Sequence, residues 1–131
     1  MRIINMFRYI ALASIALLLG CSSAYNLTDR NGNTFVIEKP ELEPKGNLEY
    51  RSGNATRELA IKEIVSLSIP SAEPRIFDGK VFYPATLILE DTLSAPTQGF
   101  VCVEGLMKAK NAGNKFSIPM ANISEFKRSE N

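Results

Sequence analysis

A chain of 131 residues, 45% hydrophobic and 22% charged, is long enough to bury one core without a metal or disulfide staple and too apolar to stay disordered. Its formal charge of +1, with no basic run beyond Lys127-Arg128, removes the electrostatic field that a nucleic-acid partner requires. Histidine is absent, which excludes Ser-His-Asp catalysis and His-based zinc sites.

Met1 to Arg8 carries two arginines and no acid, and Tyr9 to Leu19 is an uncharged, almost wholly apolar run of 11 residues. As a helix such a run rises about 16 Å, well short of the roughly 30 Å hydrocarbon core, so it reads as the apolar region of a signal-peptide helix. Leu18-Leu19-Gly20-Cys21 closes it. These four residues resemble the lipobox of bacterial lipoproteins, in which a Leu, a small or aliphatic residue and a Gly or Ala precede a Cys.

The resemblance implies that the Cys21 thiol receives a diacylglyceryl group, that the bond between Gly20 and Cys21 is cut, and that the new amine is acylated. Residues 1–20 are then the signal peptide and 21–25 the lipidated cysteine with a polar spacer. The mature chain would hold 111 residues, with 13 basic against 14 acidic side chains. Two or three acyl chains hold a domain at a bilayer almost permanently. The implied location is the bacterial cell envelope, and the non-acidic Ser22 resembles the pattern sent to the periplasmic face of the outer membrane in diderm bacteria.

Downstream, Asn26-Leu27-Thr28-Asp29 and Thr34-Phe35-Val36-Ile37 flank Arg30-Asn31-Gly32-Asn33, a hairpin signal because Asn and Gly tolerate positive φ. Asp29, Asn31 and Asn33 imitate the first ligands of a calcium loop, but Thr34 and Pro40 stand where Gly and Glu are needed, so a hairpin tip is the better reading. Glu38 to Gly46, with Pro40 and Pro44, reads as a loop. Leu48 to Arg51 alternates as a strand, and Ser52-Gly53-Asn54 makes a turn.

Glu58 to Ile69 contains two alternating patterns of opposite phase. Two strands with a tight step at Lys62-Glu63-Ile64 account for both, and a helix is the alternative. Residues 70–80 read as a linker. Val81 to Leu89 reads as strand on either side of Pro84, Glu90 to Gln98 as a polar loop, and Gly99 to Val103, Leu106 to Lys110, Lys115 to Ile118 and Ile123 to Lys127 as the remaining strands. Ser129 to Asn131 reads as a frayed end.

The order of signals repeats. Asp29, Leu48, Gly53-Asn54, Ile64 and Leu67 have counterparts in Asp91, Leu106, Gly113-Asn114, Ile123 and Phe126. Phe116 to Ile123, with Pro119 before a tight step, resembles the end of SH3-like small barrels. The expected fold is therefore all-β, a small antiparallel barrel or sandwich over 26–128, open to division into two SH3-like halves at 26–69 and 81–128.

No catalytic, metal-binding or cofactor-binding set is expected. Cys102, inside Phe100 to Val103, reads as a small core residue, and Phe77, Phe82 and Tyr83 read as core packing with an aromatic partner patch as the alternative. The reading is a non-catalytic binding or scaffolding module, tethered to a membrane through Cys21, that holds a protein, peptide or glycan. A cell-envelope enzyme or enzyme inhibitor is the rival, with Glu90 to Gln98 as the inhibitor's protruding loop.

Overall fold

The computed structural model describes residues 24–92 and 95–129, so the signal segment, Gly20 and Cys21 lie outside the described residues. Eleven strands form one antiparallel, sandwich-like sheet. They are β1 (Ala24–Asp29), β2 (Thr34–Glu43), β3 (Leu48–Ser52), β4 (Ala55–Leu59), β5 (Ile64–Ser68), β6 (Arg75–Phe77), β7 (Lys80–Leu89), β8 (Thr97–Cys102), β9 (Leu106–Asn111), β10 (Asn114–Pro119) and β11 (Ile123–Arg128). Short 3₁₀ turns at Ile61–Glu63, Glu90–Thr92 and Met120–Asn122 follow β4, β7 and β10.

The two phases of the 58–69 segment are strands separated by a 3₁₀ step, as the alternation predicts. The hairpin tip closes as expected: the Asp29 carboxylate accepts from the Asn31 and Asn33 amides at 2.9 Å each, and Gly32 takes φ 88°. Pro119, a 3₁₀ turn and β11 follow one another as the C-terminal pattern anticipates.

Two readings change, at 38–46 and at 70–80, while strand on either side of Pro84 is as expected. The 38–46 segment is not wholly loop, because β2 runs on to Glu43; Pro40 is tolerated at a bulge between Glu38 and Glu41, where the ladder with β9 is interrupted. β7 passes through Pro84 unbroken. Beyond β8, that stretch of β7 faces the gap between β6, which reaches only Phe82, and β5, which begins at Thr86, so no ladder bond is lost there. The 70–80 linker contains the short β6, which covers the start of β7.

The strand order is β10-β9-β2-β1-β11-β5-β7-β8-β3-β4, with β6 beside β7. By position within the repeated series, each five-strand group runs fourth, third, second, first, fifth. The first two strands of each group come from one chain segment and the other three from the other segment. β2 pairs with β9 instead of the nearby β3, and β8 pairs with β3 instead of β9. The short connections after β2 and β8 therefore cross.

The repeat is visible in burial. Leu59, Ile61, Ile64 and Leu67 are buried, and so are Ile118, Met120, Ile123 and Phe126, each 59 positions later. The two groups meet where β5 pairs with β11, and there Leu67 lies opposite its own counterpart Phe126, flanked by Ser66–Lys127 and Ser68–Glu125. That register is unchanged when the two segments are exchanged, so a local two-fold axis passes through the Leu67–Phe126 pair. One apolar cluster, drawing on ten of the strands, fills the interior.

Candidate functional site

The crossing of the two connections creates a cleft of about 320 Å³ with mixed chemistry, lined by Leu42, Glu43, Pro44, Lys45, Asn47, Leu48, Glu49, Lys80, Cys102, Glu104, Gly105 and Met120. Gly105 makes the crossing possible. Its φ is 103°, and a Cβ there would collide with the Glu43 carbonyl oxygen, so the β8–β9 connection lies directly against the end of β2. The Gly105 carbonyl then accepts from the Met120 amide at 3.0 Å, tying the crossing to the 3₁₀ turn after β10.

Register brings the polar groups together. Tyr50 pairs with Val101 and Cys102 with Phe82, which sets Glu49 beside Cys102 and brings Lys80, two residues before Phe82, to the same face. Lys80 Nζ donates to Glu49 Oε1 at 2.9 Å. That hydrogen bond, with the Glu49 charge behind it, raises the Lys80 pKa and keeps the ammonium charged. Glu104 Oε2 accepts from the Val81 amide at 2.9 Å, and the Val103 amide donates to the Val81 carbonyl at 3.0 Å, fixing the rim.

Cys102 departs from the core position expected of it. Val101 and Val103 point inward and are buried, so alternation turns Cys102 to the other face, where it lines the cleft half-buried. Burial pushes its thiol pKa up, which disfavours the thiolate that nucleophilic chemistry needs. The arrangement can hold an apolar group between Leu42, Leu48 and Met120 while Lys80 and Glu49 present a fixed charge pair at the rim.

The aromatic trio is divided by the same alternation. Phe82 is buried on the outer face, edge-on to Phe77 at 5.3 Å, and Phe77 is tilted against Phe100 at 5.5 Å. Arg51 lies over Phe77 at 4.4 Å and Arg75 over Phe100 at 5.2 Å, so guanidinium planes cover this satellite cluster. Tyr83 faces the other way and packs against the main core.

Sequence reasoning did not find the cleft. Its polar groups come from β3, β7, β8 and the crossing connection, and only the exchanged strand order makes them neighbours. Among the described residues, no group of three or more Cys, Asp or Glu side chains is placed to hold a metal ion. Comparison with protein-family models, curated proteins and solved structures finds no match to this chain.

Proposed function

We propose that this chain is a lipid-anchored lipoprotein of the bacterial cell envelope and works as a non-catalytic binding module. The observation that carries the reading is Leu18-Leu19-Gly20-Cys21 standing just ahead of a sheet whose first strand starts at Ala24. Only Ser22 and Ser23 would separate the acylated Cys21 from the folded domain, so the domain would work against the bilayer and not at a distance from it. The fourth-third-second-first-fifth order of each strand group, with the last strand beside the first, supports an SH3-like reading of each group.

The cleft at the crossing is the binding site in this proposal, and its occupant is a peptide segment of an envelope protein that inserts one apolar side chain. Its charge pair and apolar walls suit recognition, and the raised Cys102 thiol gives no help to covalent chemistry.

Two experiments test the proposal. Mass measurement of the protein purified from bacterial membranes should show Cys21 as the acylated first residue, and Cys21→Ala should release the protein and remove the added mass. Unmodified mass with unchanged membrane association would sink the tether. A photo-crosslinker at Asn47 should capture a partner that the same group at the exposed Glu125, on β11 and outside the cleft lining, does not, and equal capture at both positions would remove the cleft from the proposal.

A further inference from the structure

We propose that a lysine-lined groove on the outer side of β2, β9 and β10 binds the anionic phospholipid headgroups of the membrane to which the protein is tethered. The groove has a volume of about 480 Å³, and its ionisable lining is Lys39, Lys108, Lys110 and Lys115 against the single Glu41. In a mature chain with one more acidic than basic side chain, that is a concentrated positive site.

The groove's position follows from register. Ala24 pairs with Glu38, Glu38 with Lys110, and Lys110 with Lys115. Neighbouring strands lie about 4.8 Å apart, so Lys110 and Lys115 stand within about 15 Å of the residue where the chain enters the sheet. The span from Cys21 to Ala24 reaches about 10 Å at full extension. A membrane that holds Cys21 is therefore within reach of the groove's lysine side chains.

The charges are also available. Lys108 pairs with Glu43 at 3.2 Å, whereas among the described residues no carboxylate lies within 4.0 Å of Lys39, Lys110 or Lys115. Lys110 and Lys115 sit directly opposite one another, an arrangement of like charges that weakens a strand pair, and Glu38 stands opposite Lys110 on its other side. Lys39 occupies the left-handed region at φ 53° in the β2 bulge, a conformation a lysine adopts only at a cost, and the bulge turns it into the groove beside the other three.

This inference rests on the lipoprotein reading for its membrane, and the test separates the two. The chain from residue 21 with Cys21→Ser keeps every described strand and cannot be acylated. It should sediment with phosphatidylcholine vesicles containing phosphatidylglycerol, should not sediment with phosphatidylcholine alone, and should be released by raised salt. The triple variant Lys39→Gln/Lys110→Gln/Lys115→Gln should partition on the order of 100-fold more weakly with an unchanged circular dichroism spectrum, since three charges near an anionic surface are lost.

A control that removes three cations elsewhere, Arg57→Gln/Lys62→Gln/Arg75→Gln, should retain most of the binding. Equal loss in the control, equal binding to neutral vesicles, or release by inorganic phosphate at matched ionic strength would each overturn the headgroup site, the last in favour of a small-anion site. If vesicle binding holds while mass measurement finds Cys21 unmodified in cells, the tether fails and the groove stands. If Cys21 is acylated and the vesicles are not bound, the groove fails and the tether stands.

Discussion

The two 3₁₀ corners after β4 and β10 occupy equivalent places in the fold and are closed by different chemistry. At the corner after β10, Arg30 from the end of β1 donates to the Ile69 carbonyl at 2.8 Å and the Ala121 carbonyl at 3.4 Å, and lies 5.5 Å from the Tyr83 ring centre. At the corner after β4, the residue equivalent to Arg30 is Glu90, and the cation comes from the last strand instead: Arg128 donates to the Lys62 carbonyl at 2.5 Å and pairs with Glu90 at 3.2 Å. Lys62 and Ala121 are themselves equivalent positions. Each corner exposes a backbone carbonyl that no strand satisfies, and each recruits a guanidinium to cover it. The requirement belongs to the fold, while the strand that supplies the cation does not.

The largest expected effect comes from breaking what the corners share. Leu67 and Phe126 are almost fully buried where the two strand groups meet, so Phe126→Ala should cost about 3–5 kcal/mol and Leu67→Ala about 2–5 kcal/mol in urea unfolding. A loss below about 1 kcal/mol for both would show that the β5–β11 junction is not the centre of the core.

Next come the two cations. Arg30→Met and Arg128→Met each leave carbonyls uncovered at a corner and should destabilise by about 1–3 kcal/mol. Equal costs would mean the two solutions are equivalent; a cost confined to Arg30 would show that the Arg128 corner is satisfied by water. Glu90 is 64% exposed on its side chain, so Glu90→Gln should cost no more than about 1 kcal/mol, and 1 M salt should reduce even that.

The smallest effect concerns the hairpin that carries Arg30. Hydrogen bonds from Asn33, partly opposed by desolvation, hold the Asp29 carboxyl below its ordinary value of 3.8. Because the folded pKa is the depressed one, the Asp29 contribution is present above pH 3.8 and is lost as pH falls through the folded value. Asp29→Asn should flatten that acid limb of the stability profile and leave neutral-pH behaviour nearly unchanged. An unaltered acid limb would mean that other carboxylates set it.

Much of the secondary structure was legible because alternation reports directly on a half-buried strand. The reversal of phase at Lys62-Glu63-Ile64 marked a tight step, which the structure builds as a 3₁₀ turn at Ile61–Glu63, and the spacing of Ile64 and Leu67 against Ile123 and Phe126 marked the repeat. The repeat's register needed the structure: burial equates Leu48 with Met107 and Leu59 with Ile118, where the signals alone had aligned Leu48 with Leu106. Pro40 was misleading, since a proline marks an interruption in the ladder and a bulge meets that need as well as a loop does, whereas Pro84 lies in β7 with strand on either side, as its flanking pattern suggests. β6 was illegible because three residues carry too little pattern.

The sequence by itself determined most of the strands, the tight steps and the hairpin tip, all of which depend on neighbours a few residues apart. Pairing partners were decided only by the tertiary structure. β2 can meet β3 or β9 with the same alternation, and the choice turns on the crossing at Gly105 and the close approach to Glu43. The cleft and the lysine groove both follow from that choice, since the cleft lies at the crossing and the groove exists only because β2 carries Lys39 alongside Lys108, Lys110 and Lys115. Read along the chain, those lysines are scattered charges, and sheet register is what gathers them into one site.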